Sequence, residues 1–372
     1  MRSVYYIIPT GAIGGAEKRF IELYCQLAKE GTEFDLHLVI SQQLYTAIKN
    51  NSTIYDLVRP LESRLKIYGI DINQPTISFQ KKLYRFVCAH TGKDDILHFI
   101  LSFPTYIFPL KHPKTIYSLT ESSLANVNIR GRILYLLNIF RSKYTDILDP
   151  VVYAKARKYF FYKKRRISMT PGSFTNTEVF KPADGFKKEN WFVFLGRFFY
   201  VKQVTRLLRA IPGICKELDA AGHSGYKFIF LGYGQQEQEM HDIIEAEEFK
   251  DLPIEIKMTG TPEAVLAKSK VFFSVQLRNN YPSKSLLEGL AAGNIPLVTD
   301  VGTTRMIARP DFSFYVPEDF SANDIATQLI SILSLNEDSL LHKMTSARNF
   351  VETNFTIKAS VKYYTELYRK LQ

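Results

Sequence analysis

Apolar residues in this chain fall into short unbroken runs, and between the runs they recur at helical spacing. Residues 3–9 (SVYYIIP) are almost wholly apolar, the pattern of a buried parallel strand. A glycine-rich turn follows from Thr10 to Ala16. Residues 16–30 then place Phe20, Leu23, Tyr24 and Leu27 on one helical face. Residues 34–40 (FDLHLVI) are strand-like again. This β–turn–α–β order opens a doubly wound α/β fold. Later strands are expected at 95–100 and 114–119, and helices near 77–90 and 129–144.

The alternation resumes at residue 191. Strands at 191–196 (WFVFLG), 226–232 (YKFIFLG), 254–260 (IEIKMTG) and 270–276 (KVFFSVQ) precede helices at 203–219, 236–248, 262–268 and one beginning near 283. Leu286, Leu287, Leu290 and Ala291 give that last helix an apolar face. Gly293 and Asn294 stop it, and 295–298 forms another buried strand. Ser283 or Ser285 would cap it, and Ser285 with Glu288 has capping-box spacing. Between the two runs, residues 151–170 carry seven Lys or Arg and no acid, followed by turn formers. The interdomain connection is expected there. The resulting division is a first domain of 1–176 and a second of 177–356. A terminal helix, 357–372, with Val361, Tyr364, Tyr368 and Leu371 on one face, packs back on the first.

A length of 372 residues accommodates two domains. No run approaches the roughly 18 apolar residues of a membrane-spanning helix. Cys25, Cys88 and Cys215 are odd in number and widely spaced, which suggests neither disulfides nor a metal site. A cytoplasmic location is expected, with peripheral contact at the inner face of a membrane as an option. The formal charge of +11 suits an anionic partner without choosing among nucleotide, nucleic acid and acidic membrane. Segment 151–166, with Tyr153, Tyr159, Phe160, Phe161 and Tyr162, would either lie on an anionic membrane or pack as a solvated helix by its aromatic face.

Ligands of doubly wound sheets sit beyond the carboxyl ends of strands, so residues just after strands carry the candidate chemistry. Arg197 directly follows one strand and Lys202 lies five residues on. A guanidinium and an ammonium there would stabilise a diphosphate, or else be solvated surface cations. The turn at Gly11, Gly14 and Gly15 lacks GxGxxG spacing. It is either a tight βα turn or a place where backbone approaches a substrate. Gly232 and Gly234 pose the same choice for a base or ribose. Glu288, one turn into its helix, would accept hydrogen bonds from a ribose. His98 ends a strand and is either a core residue or a cleft residue; Glu121, after the next strand, is either a loop carboxylate or a cleft residue. The chain has no Asp-x-Asp pair, so no metal is expected.

Taken in order, GAIGGAEK, PGSFTNTEVFKP, FVFLGRFFYVKQ, FIFLGYGQQ and YPSKSLLEGLAAGNIPLVTDVG span nearly the whole chain and resemble glycosyltransferase family 4. The resemblance implies the GT-B architecture, two Rossmann-like domains facing a cleft. It also implies retaining transfer of a sugar from a nucleotide-sugar donor, UDP- or GDP-linked, to an acceptor hydroxyl, without metal or cofactor. By that resemblance Arg197 and Lys202 bind the donor diphosphate, and Glu288 holds the ribose. Gly15 lets the N-terminal loop approach the β-phosphate, and the amides of Ser283 and Lys284 face the donor. The acceptor would be a glycan or lipid-linked glycan of a bacterial surface-polysaccharide pathway, its side of the site including His98 or Glu121. Two positions depart from the family. Asn280 stands where a first glutamate is usual, and Thr120 and Glu121 stand where a histidine is often found. They motivate an alternative, a sugar-nucleotide-binding or membrane-docking protein without transfer activity. Nucleic-acid binding rests on charge alone, with no reader motif.

Overall fold

A computed structural model describes residues 2–13, 15–30, 33–69, 77–100, 114–119, 129–160, 165–279 and 281–371. The chain divides into two compact units. One comprises residues 1–172 and 357–372, the other residues 173–356.

The first unit contains β1 (Arg2–Ile8), α1 (Gly15–Lys29), β2 (Phe34–Ser41), α2 (Gln42–Lys49), α3 (Ser52–Val58), β3 (Leu65–Tyr68), α4 (Ile77–Ala89), β4 (Ile96–Phe99), β5 (Thr115–Leu119), α5 (Ile129–Arg141), β6 (Tyr144–Ile147), α6 (Pro150–Tyr159) and β7 (Ile167–Met169). Its strands are all parallel, in the order β3-β2-β1-β4-β5-β6-β7. The order reverses between β1 and β4, as in a Rossmann sheet. Phe20, Leu23, Tyr24 and Leu27 of α1 are all buried, as their spacing requires.

The second unit contains β8 (Glu189–Leu195), α7 (Val204–Ala220), β9 (Lys227–Leu231), α8 (Glu237–Ile244), β10 (Ile254–Lys257), α9 (Pro262–Lys268), β11 (Ser269–Ser274), α10 (Lys284–Ala291), β12 (Ile295–Thr299), β13 (Phe314–Val316), α11 (Ala322–Leu333) and α12 (Glu337–Asn354). Six parallel strands run β10-β9-β8-β11-β12-β13, again reversing beside the first strand of the unit. Helix α13 (Ile357–Arg369) leaves this unit and packs in the first, against α1.

Two expectations need correction. Of the stretch where the connection is expected, the turn formers after residue 170 hold the boundary, but the basic run before them is part of the first unit. Asp149 caps α6 by accepting the Val152 N–H at 2.8 Å, Pro150 suits its first turn, and Val152 and Ala156 bury its inner face. The chain then adds β7 to the first sheet, and the units part between Gly172 and Ser173. The capping box at Ser285 and Glu288 does not form either. Ser283 is the N-cap of α10, its Oγ accepting the Leu286 N–H at 3.4 Å, which leaves Ser285 inside the first turn.

Candidate functional site

The candidate site of the second unit lies at the carboxyl ends of β8, β9, β11 and β12, where backbone and side-chain bonds tie four loops together. After β8 the chain crosses to the neighbouring loop. The Gly196 N–H donates to the Leu231 carbonyl at 3.0 Å, and the Phe198 N–H to that of Tyr233 at 2.9 Å. Gly232 and Gly234 make this approach feasible. A Cβ on Gly232 would lie 1.8 Å from the Gly196 carbonyl oxygen, and one on Gly234 2.6 Å from that of Phe198. Their glycine identity is therefore explained by loop-on-loop packing.

Arg197 projects from this crossing, exposed, with its guanidinium carbon 5.8 Å from the centre of the Phe199 ring. The loop then tightens into a short turn at Tyr200–Lys202, and Gln203, in the left-handed region, leads into α7. Lys202 turns inward. Its Nζ donates to Gln276 Oε1 at 3.1 Å, and burial lowers its pKa to about 8. Among the described residues neither Arg197 nor Lys202 has a carboxylate within ion-pair distance. A half-buried ammonium held by one neutral amide oxygen is an electrostatic deficit that an anion would relieve.

Gln276 is itself fixed. Its N–H donates to Thr299 Oγ1 at 2.9 Å, and that hydroxyl donates back to the Gln276 carbonyl at 2.9 Å. The Leu277 N–H donates to the Val201 carbonyl at 3.0 Å. Asn279 Oδ1 accepts from the Thr303 N–H at 3.1 Å and from Thr303 Oγ1 at 2.9 Å, drawing in the loop after β12. These bonds join the Lys202 loop to the segment that enters α10. The first-turn amides of an α-helix cannot be satisfied from within and carry the positive end of its dipole, so Ser283 and Lys284 begin a ready anion site. Glu288 lies in the second turn of α10, half-buried.

The helix is also held from behind. Lys188 Nζ donates to the carbonyls of Leu266 (3.2 Å) and Ala267 (2.8 Å) at the end of α9 and to that of Ala292 (2.7 Å) at the end of α10. Arg348 donates to the Ala291 carbonyl at 2.6 Å. Two cations thus sit at the negative end of α10. Sequence reading passed over them, along with Gln276, Asn279 and Thr299. Gln276 had a visible signal, a lone amide ending an apolar strand; Lys188 and Arg348 had none.

Of the other nominated residues, Gly15 begins α1 in the first unit. Asn280 and Glu121 lie outside the described residues. His98 is in β4 and fully buried. Its Nδ1 pairs with Tyr368 Oη at 2.9 Å and its Nε2 with Ser118 Oγ at 2.7 Å. Ser118 donates on to Asp146, which also accepts from Tyr364 Oη at 2.8 Å. Burial drives the His98 pKa down to about 3, so the ring is neutral, and raises that of Asp146 to about 6. With both nitrogens engaged beneath α13, His98 is a core residue and does not face a cleft.

Residues 176–349, nearly the whole second unit, match the family Glycosyl transferases group 1. No curated protein sequence matches the chain. In three dimensions it is similar to a glycosyltransferase from Rickettsia africae, with 14% identity and a TM-score of 0.73 over 100% of this chain and 98% of that one. It is also similar to HepE of Anabaena, crystallised with UDP, at 11% identity and a TM-score of 0.73 over 100% of both chains. WaaG, a glycosyltransferase involved in lipopolysaccharide biosynthesis, aligns at 12% identity and a TM-score of 0.63 over 99% of both chains. At such identities the likeness speaks for the fold, while the family match speaks for the second unit. The sequence pattern of Glycosyl transferases group 1 thus lies on residues 176–349, in a chain that has the two Rossmann-like sheets of the GT-B fold.

Proposed function

We propose that the chain transfers a sugar, with retention of configuration, from a nucleotide-diphosphate-sugar to an acceptor hydroxyl. The observation that carries this reading is Lys202, a half-buried ammonium with no carboxylate partner among the described residues. Hydrogen bonds tie its loop to the one that enters α10. Arg197 and Lys202 take the donor diphosphate, the amides at Ser283 and Lys284 face phosphate or sugar, and Glu288 holds the ribose. UDP is the nucleotide of first choice because HepE, a structural relative, is crystallised with UDP and with UDP-glucose; GDP is the second. The acceptor is a glycan or lipid-linked glycan, as in bacterial surface-polysaccharide synthesis, and the transfer proceeds on the cytoplasmic side.

Charge grows on the β-phosphate as the glycosidic bond breaks. Cations already positioned there stabilise that charge without reorganising. The acceptor hydroxyl then attacks from the face the diphosphate leaves, and the departing phosphate oxygen takes its proton. No metal or resident cofactor enters this scheme.

Thermal-shift measurement against a panel of UDP- and GDP-sugars tests donor binding, and product analysis with the best donor tests transfer. Arg197→Ala is expected to lower kcat by about 100- to 1,000-fold, the loss typical of one preorganised donor. An unchanged rate removes Arg197 from the mechanism. Binding without hydrolysis or transfer over a broad acceptor panel supports a non-catalytic sugar-nucleotide binder instead.

A further inference from the structure

Among the described residues, the Lys202 ammonium makes its hydrogen bond to Gln276 Oε1, at 3.1 Å. An ammonium only donates, so the amide must turn its oxygen toward it. Backbone on both sides holds Gln276 in that place. Thr299, fully buried in β12, accepts the Gln276 N–H and donates to the Gln276 carbonyl, each at 2.9 Å. One residue on, the Leu277 N–H donates at 3.0 Å to the carbonyl of Val201, the residue before Lys202. The contact between the two side chains therefore lies inside a frame that fixes both of their stems. Gln276 is only 4% exposed, so its amide oxygen needs a partner, and the partner it has is a cation.

The choice of an amide at this position has a consequence. A leucine of similar size would leave the ammonium without that acceptor, and its charged form would be disfavoured further. A glutamate would reach the same place, pair with the ammonium and cancel its charge. Glutamine engages one of the three N–H donors, fixes the direction of the lysine stem, and leaves the net positive charge and the other donors for an anion. The surrounding charges do not substitute for it. Arg197 on the same loop and Arg278 after β11 are exposed, as are Glu318 and Asp319 after β13. Arg206 of α7 donates to the carbonyls of Asp319 and Phe320, and Asp300 and Arg305 after β12 pair with each other. Lys284 and Glu288 of α10 are half-buried. None of these carboxylates lies within ion-pair distance of Lys202, and burial accounts for its lowered pKa.

We propose that Gln276 is a positioning residue of the donor site: its neutral oxygen holds the Lys202 ammonium in place and leaves the charge for the diphosphate. The inference rests on the reading of Lys202 as a cation that takes the donor diphosphate. Gln276 acts through Lys202 and not on the reacting atoms.

Two measurements test it, one of them without ligand. Competitive acetylation by acetic anhydride from neutral to alkaline pH, read by mass spectrometry at Lys202, gives the pKa of that amine in the empty protein. Calorimetry with UDP gives affinity against pH. Gln276→Glu is expected to raise the Lys202 pKa by about one pH unit or more, because an opposite charge in contact favours the ammonium. It is also expected to weaken UDP about tenfold or more at neutral pH, because the nucleotide must displace a resident carboxylate and meets its repulsion. Gln276→Leu is expected to lower the Lys202 pKa below that of the parent and to move the fall of UDP affinity to lower pH. A merely structural role would change stability and leave the Lys202 pKa where it is. A pKa equal in the parent and both variants, shifts of the same sign in the two, or UDP affinity unchanged by Gln276→Glu overturns the proposal. Should Gln276→Glu fail to fold, the downward shift in Gln276→Leu decides. A parent that binds neither UDP nor GDP overturns the proposed function instead, and acetylation still decides whether Gln276 sets the charge on Lys202.

Discussion

Lys202 is a side chain whose charge folding holds at a disadvantage. Burial moves its pKa from the ordinary 10.5 to about 8, so folding disfavours its charged form below that value. In the unliganded protein this cost is present below pH about 8. It disappears as pH rises toward 10.5, because there the unfolded chain still holds the proton that the folded chain has lost. A bound diphosphate reverses the preference and restores the ammonium. Donor binding should therefore take up a proton between about pH 8 and 10, and affinity should fall as pH rises through that window. Calorimetry in buffers of different ionisation heat measures the uptake, and Lys202→Met should abolish it. Equal proton uptake by the variant would place the titrating group elsewhere.

At the scale of the element, α10 is a short helix whose ends are both engineered by the surrounding structure. Ser283 closes the amino end, and Lys188 and Arg348 take carbonyls at the carboxyl end. Lys188 supplies three donors to three carbonyls, the full complement of an ammonium. Lys188→Met keeps the length and apolar stem but strands those carbonyls. We expect it to lower unfolding free energy by about 1–3 kcal/mol, the cost of buried polar groups left unpaired. Urea unfolding gives that number, and a loss below a few tenths would show that water replaces the ammonium without penalty. If α10 moves as a result, donor affinity should fall while Arg197 and Lys202 remain in place.

Over the whole molecule, the C-terminal helix is what returns the chain to its first unit. A row of residues across the sheet, Tyr6, His98, Ser118, Asp146 and Ser168, lies beneath α13 and meets Tyr363, Tyr364 and Tyr368. Within this row two groups titrate in opposition. His98 is held neutral down to about 3 against an ordinary 6.5, so stability is lost as pH falls through that interval. Asp146 keeps its proton up to about 6 against an ordinary 3.8, so its contribution is lost as pH rises toward 6. Between about pH 4 and 6 the two slopes cancel. His98→Gln removes one of them. Relative to the parent, the variant should lose stability steadily as pH rises over that range. A parallel pair of stability curves, measured by urea unfolding, would show that folding does not depress the His98 pKa.

The alternation of apolar runs with helical spacings determined two doubly wound units, because a strand buried on both faces must be apolar throughout and a covering helix must be apolar on one side. It also placed Arg197 and Lys202 just after one strand and Glu288 in the helix that follows another. It did not reveal β6 and β7, whose brevity and polar members Asp146 and Ser168 hide them, nor that 150–159 covers the sheet. Periodicity reports which side of a helix is apolar but not whether that side meets protein or water: Leu136 and Phe140 of α5 are exposed, whereas Tyr364 and Tyr368 of α13 are buried. Only the tertiary structure decided that. It also decided that His98 is walled in by Ser118 and Tyr368, and that Lys202 meets Gln276 across 74 residues of sequence. Contacts of such separation depend on which strands lie side by side, and strand order is a property of the assembled sheet.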